Sequence, residues 1–201
     1  MPQNSPAPIV PVTLTGRHVE LVPLSMDHRD GLTAAVADGE LWKLWYTNIA
    51  EPAEMQAEIA RRLALKDAGA MLPFTVVAPG GTIVGMTTYM NLDAATPRVE
   101  IGSTWYAKSV QRSGLNTEAK LLLLGHAFDA IGCTAVEIRT HALNQQSRRA
   151  IERLGAKLDG ILRAHTRTRN GVLRDTCVYS ITAAEWPAVE VNLRWQLERH
   201  A

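Results

Sequence analysis

The chain has 201 residues, 46% hydrophobic and 20% charged, with a formal net charge of +1. That length suits one domain with a sizeable core, and the composition is globular rather than disordered. No basic block points to nucleic acid, and the longest aliphatic run, Leu121–Leu124, is far too short to span a bilayer, so neither nucleic acid nor membrane is expected as a partner.

The Pro-rich opening (Pro2, Pro6, Pro8, Pro11) reads as a flexible tail over residues 1–12 without the features of a secretory signal. His18 to Leu24 alternates Val19, Leu21, Val22 and Leu24 with polar residues and predicts a strand. Ser25 is placed to cap a helix from Met26 to about Val36. Glu40 to Ile49 carries Trp42, Trp45 and Tyr46, and Pro52 then sits as a first-turn proline before Met55, Ile59 and Leu63 on one helical face. Phe74–Ala78 and Ile83–Tyr89 flank Pro79-Gly80-Gly81 as a hairpin, and Val99–Tyr106 is the next strand.

A polar turn, Gln111-Arg112-Ser113-Gly114-Leu115-Asn116-Thr117, follows that strand and runs into a helix with Leu121, Leu124, Phe128 and Ile131 on one side and Gly132 as its stop. The first N–H groups of a helix lack intrahelical partners and carry the positive end of its dipole, so a glycine turn here can hold a phosphate. The competing reading is an ordinary cap, in which Ser113 or Thr117 serves its own backbone. Ala135, Val136 and Ile138 make a strand, and Asn144 to Leu154 a helix stopped by Gly155. Leu158 to about Thr168 and Val172 to Ile181, joined by Asn170-Gly171, read as a second hairpin. Thr182 and Glu185 have capping-box spacing, and Pro187 is placed to delay or bend a final helix with Val189, Leu193 and Leu197 on one face; apolar surface on that helix could serve a homodimer. Cys133 and Cys177 have no metal-ligand spacing, so no metal site is expected and a reduced, cytoplasmic protein is the simplest reading. Cys133, between a helix and a strand, reads as buried and inert.

The order β-α-α-β-β-β-α-β-α-β-β plus a terminal helix defines a mixed α/β domain over residues 13–182, with 183–201 as the C-terminal helix. Gln111, Gly114 and Asn116 sit at the marked positions of Gln/Arg-x-x-Gly-x-Gly/Ala, so the turn resembles motif A of the GCN5-related N-acetyltransferases (GNAT). Asn116 departs from the usual small residue, although Asn tolerates unusual backbone angles. Thr117-Glu118-Ala119, Asn144-x-x-Ser147 and Leu158-Asp159-Gly160 resemble the RimJ/RimL branch, the ribosomal-protein N-terminal acetyltransferases.

The resemblance, over roughly Thr13 to Ile181, implies a mostly antiparallel sheet flanked by helices and acetyl-coenzyme A as co-substrate. It implies that the backbone from Arg112 to Thr117 holds the pyrophosphate, that Asn144, Ser147 and the neighbouring Arg148 face the coenzyme, and that Ser147 protonates the leaving thiolate. Trp105 and Tyr106 end the strand beside the pantetheine, where a backbone N–H near Trp105 is a candidate oxyanion donor. Trp42, Trp45 and Tyr46 fall where the family builds its acceptor pocket, with core packing as the alternative. Acetyl transfer to an amine needs a base, and Glu100 is the candidate, with His165 the substitute. Glu100 pairing structurally with Arg98 is the competing reading. The expected activity is N-acetylation of a primary amine, of a protein N-terminus or a small molecule, with a non-catalytic acyl-coenzyme A-binding module as the alternative from another class.

Overall fold

The computed structural model describes residues 10–93 and 95–199; most of the expected N-terminal tail lies outside them. Eight strands form one sheet: β1 (Leu14–Thr15), β2 (Glu20–Pro23), β3 (Met71–Val77), β4 (Ile83–Asp93), β5 (Arg98–Tyr106), β6 (Ala135–His141), β7 (Lys157–Arg167) and β8 (Leu173–Thr182). Their order is β1-β2-β3-β4-β5-β6-β8-β7, and every neighbouring pair is antiparallel except β5 and β6. The helices are α1 (Arg29–Ala37), α2 (Met55–Asp67), α3 (Leu115–Gly125), α4 (Gln145–Arg153) and α5 (Trp186–Glu198). A π-helical turn, His126–Ile131, extends α3, and Gly132, left-handed at φ 78°, ends it. The fold class is as the element order implies.

Successive strand residues point to opposite faces, so β4 sorts the helices. The Thr88 hydroxyl accepts from Arg62 of α2, while the neighbouring Tyr89 donates to the Leu123 carbonyl of α3. α1 and α2 therefore cover one face. α3, α5 and α4 cover the other, α4 through Arg148 and Glu152 on the Tyr179 hydroxyl of β8. The core fills both interfaces, with Met86, Ile59 and Leu32 toward α1 and α2, and Leu21, Phe74, Tyr89, Ile101, Leu123 and Leu124 on the α3 face, all essentially buried.

Local chemistry explains most element ends. Ser25 accepts from the Asp27 N–H, and His28 Nδ1 accepts from the Ser25 N–H, a capping box that opens a 3-10 turn before α1. Pro187 does delay α5, which begins at Trp186. Thr182 uses its N–H and hydroxyl on Glu185, but that pair precedes the helix rather than capping it. Val189 and Leu193 of α5 are buried and Leu197 packs against the core, while Val191 and Trp195 are exposed apolar side chains of the same helix.

Candidate active site

β5 and β6 are hydrogen-bonded only where Arg98–Glu100 meet Ala135–Glu137. Beyond Glu100, β5 continues to Tyr106 and β6 to His141 with no pairing between them. A bulge at Ser103, left-handed at φ 49°, turns β5 where its register to β4 shifts. Two parallel strands that part in this way leave a wedge. The N-terminus of α3 stands at the end of one strand and the N-terminus of α4 at the end of the other.

The turn before α3 presents free donors. Among the described residues, the N–H groups of Arg112, Ser113, Gly114, Asn116 and Thr117 meet no acceptor in the chain, and the first helical bond into α3 is Glu118 N–H to the Gly114 carbonyl. The side chains brace this array. Gln111 Nε2 donates to the Tyr106 carbonyl at 2.9 Å, and the Ser113 hydroxyl donates to the Val110 carbonyl at 2.7 Å while accepting from the Leu115 N–H. Ser113 therefore serves its own backbone, as the competing reading has it, from one residue before the N-cap, Gly114. Leu115 and Thr117 are buried, with the Thr117 hydroxyl accepting from Arg153 on α4.

Gly114 differs from its expected role. Its φ of −65° is ordinary, and a Cβ would meet Leu197 and His18 at 3.5 and 3.6 Å. The left-handed residue of the turn is Arg112, at φ 64°. Alanine at position 114 makes only van der Waals contacts, so Gly114→Ala is expected to leave coenzyme A affinity within about twofold, checked by calorimetry.

At α4, Asn144 caps its own helix, its Oδ1 accepting from the Ser147 N–H at 3.0 Å. The Ser147 hydroxyl has no partner among the described residues. Arg148 is committed to β8 and the preceding loop, with Nε on the Tyr179 hydroxyl at 3.0 Å and Nη1 on the Ala142 carbonyl. Trp105 is buried on the α1/α2 side opposite Met86. Tyr106 points its hydroxyl into the core, where it has no hydrogen-bond partner. These two aromatics thus place only their backbone on the wedge.

Glu100 is the last paired residue of β5, at the apex of the wedge. It lies opposite Met90, on the α1/α2 face of the sheet. Its Oε2 accepts from Asn91 Nδ2 at 2.6 Å and lies 3.4 Å from Arg139 Nε. The pairing with Arg98 that the competing reading called for is not made; Arg98 and Arg139 both bind Glu137, each at 2.7 to 2.8 Å. Burial pushes the Glu100 carboxyl above its ordinary range, more than Arg139 and Asn91 draw it down. A cavity of about 190 Å³ lined by Asn91, Asp93, Arg98, Glu137 and Arg139 opens onto it. A Cβ on Gly102 would stand 2.9 Å from Glu100 Oε1, so the glycine two residues on makes room for the carboxylate.

The same face carries residues that sequence reasoning left aside. His141 follows Glu137 and Arg139 at the strand period and packs edge-on against Trp45 and Tyr46, with ring centroids 5.3 and 6.3 Å away. Thr176 lies opposite His141 on β8 and accepts from Arg174 Nε, while His165 Nδ1 stands 3.2 Å from the Thr176 hydroxyl. Polar side chains at every second position of β6 were a visible signal. The neighbours they face are set by β8 entering between β6 and β7. Trp42 is half-buried against the core, so only Trp45 and Tyr46 of the three aromatics approach His141. Cys133 and Cys177 are buried and free, and burial lifts the Cys133 thiol to about 11. Among the described residues no group of side chains suits a metal ion, and no helix is long and apolar enough to cross a membrane.

Comparison with known proteins gives the same frame. Residues 18–157 match the model of the acetyltransferase (GNAT) domain. The Bacillus subtilis (strain 168) protein YdaF, named as a ribosomal N-acetyltransferase, is 33% identical over 106 residues, 53% of this chain and 57% of that protein; the match thus spans little more than half of that relative. A GCN5-related N-acetyltransferase from Brucella melitensis superposes with a TM-score of 0.86 and 31% identity over 98% of this chain and 90% of that one. RimJ of Mycobacterium smegmatis shares the fold at a TM-score of 0.79, with 24% identity over 92% of this chain and 95% of that one. With its domain model matched over most of its length and its sheet parted between β5 and β6, the chain belongs to the GNAT acetyltransferase family.

Proposed function

We propose that this protein transfers an acetyl group from acetyl-coenzyme A to a primary amine, by direct attack and with Glu100 as the general base. The observation that carries the reading is the wedge between β5 and β6, with two helix N-termini at its mouth and a buried carboxylate at its apex. The pyrophosphate takes the free N–H groups from Arg112 to Thr117. The pantetheine runs along the unpaired edge of β5 beyond Glu100, its amides replacing the missing strand, and Asn144 and Ser147 border it from α4. The RimJ neighbour is a complex with CoA-disulfide, in keeping with a coenzyme A ligand for this fold. The name of YdaF favours a protein N-terminal amine as acceptor, with a small-molecule amine the other source.

The chemistry follows from these positions. The amine arrives on the α1/α2 face and passes its proton to Glu100, directly or through water. The freed nitrogen attacks the thioester carbonyl, the C–N bond forms and the C–S bond breaks. A backbone N–H near Trp105 stabilises the developing oxyanion, the departing thiolate takes a proton from Ser147, and Ser147 regains one from the attacking nitrogen, which sheds its second proton directly or through water as the amide forms. No covalent enzyme intermediate is needed. Purified protein examined by native mass spectrometry is expected to retain or bind coenzyme A, and an amine panel is expected to release free thiol from acetyl-coenzyme A. Absence of both overturns the reading.

Two variants test the helix starts. Asn116→Asp places a carboxylate in the first turn of α3, which favours the helix but repels a pyrophosphate. Charges a few ångströms apart near a surface interact by about 1–4 kcal/mol, so coenzyme A affinity is expected to fall about tenfold or more while the melting temperature holds or rises. An ordinary cap would give the second effect without the first. Ser147→Ala removes one hydrogen bond to a charged group, worth ~1.5–3 kcal/mol, so turnover is expected to drop about ten- to a hundredfold. Full turnover in that variant would take Ser147 out of the mechanism.

A further inference from the structure

His141 and Arg174, buried and half-buried on the acceptor face, carry N–H groups that meet no acceptor among the described residues. His141 is 5% exposed. Its Nδ1 accepts from the Leu143 N–H at 3.0 Å, so the neutral ring carries its proton on Nε2, and Nε2 has no partner. Arg174 uses only Nε, on Thr176. Both of its terminal nitrogens lack an acceptor among the described residues. The other guanidinium groups around the pocket are each held by a carboxylate: Arg98 and Arg139 by Glu137, Arg163 by Asp175, and Arg169 by Glu54. The two unpaired donors are neighbours. Thr176 lies opposite His141 in the β6–β8 register, and Arg174 is two residues along β8 on the same face.

Two other segments of the chain border this pair. Trp45 and Tyr46 stand over the His141 ring. Arg169, at the β7–β8 turn, ties the hairpin to the loop before α2 through the Ile49 carbonyl and both oxygens of Glu54. A buried N–H without an acceptor is costly, and native proteins keep few of them. A guanidinium fork with free terminal N–H groups fits a planar carboxylate, which can take the imidazole N–H on a remaining lone pair.

We propose that His141 and Arg174 bind a carboxylate of the acceptor, so that the substrate is a primary amine with an acidic group close by. This rests on the acetyltransferase reading and gives its acceptor class. Glu100 draws the ammonium end and the Arg174–His141 pair draws the carboxylate end, so the face is complementary to a zwitterion. The carboxylate has two sources, that of a free amino acid or an acidic side chain near a peptide N-terminus.

Matched acceptors that differ only by acid and amide separate the sources: β-alanine against β-alaninamide, and an Ala-Glu peptide against its Ala-Gln counterpart. In one pair the acid is expected to exceed the amide in kcat/KM by about tenfold or more, because a neutral acceptor leaves buried donors unpaired. Arg174→Gln and His141→Asn are each expected to bring that ratio toward one, and Arg174→Lys to retain part of it. A ratio near one in both pairs, or a preference that survives Arg174→Gln, overturns the proposal. The N-acetylated products of the same pairs give a reading without turnover, by titration of tryptophan fluorescence with Trp45→Phe as the control. If no amine is acetylated, the acetyltransferase reading fails, and the carboxylate site still stands or falls on whether the acidic product binds more tightly than its amide.

Discussion

Glu100→Gln is expected to lower turnover by about 10²–10⁴-fold near neutral pH, the range that general base catalysis supplies, while coenzyme A affinity stays nearly constant. The amine must lose a proton to attack, and even an α-amine has a pKa of about 7.7–8.0. The base therefore contributes most where the amine is protonated, and the loss is expected to shrink as the pH rises. Burial raises the carboxyl above 4.5, which brings its basicity closer to that of the amine. In the unaltered enzyme, kcat/KM is expected to fall as pH drops through that raised pKa, because protonated Glu100 cannot accept the amine proton. The variant should lack this limb. Equal loss at every pH would make Glu100 a positioning residue, and no loss would move the base elsewhere, with His165 the next to test.

The same substitution carries a stability expectation of known sign. A carboxyl whose folded pKa lies above its unfolded value holds more protons in the folded state between the two. Its contribution to stability is therefore lost as pH rises through that window. A glutamine at this position has no charge to bury, keeps the Asn91 contact through its amide oxygen and gives up only the 3.4 Å approach to Arg139, which remains held by Glu137. The melting temperature at pH 7 is expected to be no lower than that of the unaltered protein. A large drop would show that the carboxylate is a structural ion pair.

The parts of this site that are local in the chain were legible in the sequence. A strand, a polar turn and an aliphatic helix in succession placed the free backbone N–H groups within Arg112–Thr117, and Asn144-x-x-Ser147 placed the second helix start. What could not be read is non-local. Arg139 reaches Glu100 because β6 runs parallel beside β5 for three residues and then leaves it. Arg174 reaches the same face because β8, not β7, lies against β6. A hairpin read from sequence does not say which of its strands goes inside. Side-chain direction within the turn was misjudged for a related reason. Gly114 looked like the residue that lets an anion approach, but its missing Cβ faces Leu197 of the terminal helix, far along the chain. The positive φ fell on Arg112, a residue type that gives no such signal.

Lys120→Met is expected to stabilise the protein at pH 7. Lys120 looks in sequence like a surface residue of α3, yet it is 6% exposed, and among the described residues its Nζ has only the Thr104 hydroxyl, at 3.2 Å, for a partner. Burial lowers its pKa from 10.5 to about 7. Between those values the unfolded chain binds a proton that the folded chain does not, so stability rises with pH across the window; below it both states are protonated and the full penalty stands. At about 1.36 kcal/mol per unit, the cost at pH 7 is about 4 kcal/mol. Methionine fills a similar volume without a charge, and the lost hydrogen bond returns only ~1 kcal/mol, leaving an expected net gain of about 3 kcal/mol in urea unfolding. The pH dependence isolates the cause. From pH 7 to 9 the unaltered protein is expected to gain about 2 kcal/mol relative to the variant, and the two should converge further as the window closes. Above pH 9 the buried Cys133 thiol, lifted to about 11, contributes a slope of the opposite sign, but it does so in both proteins and cancels from the difference. A variant less stable than the parent at pH 7, with an unchanged slope, would mean that Lys120 keeps its charge inside the fold. The amine would then need a partner supplied by the bound coenzyme or by water, and its removal should weaken coenzyme A binding as well as stability.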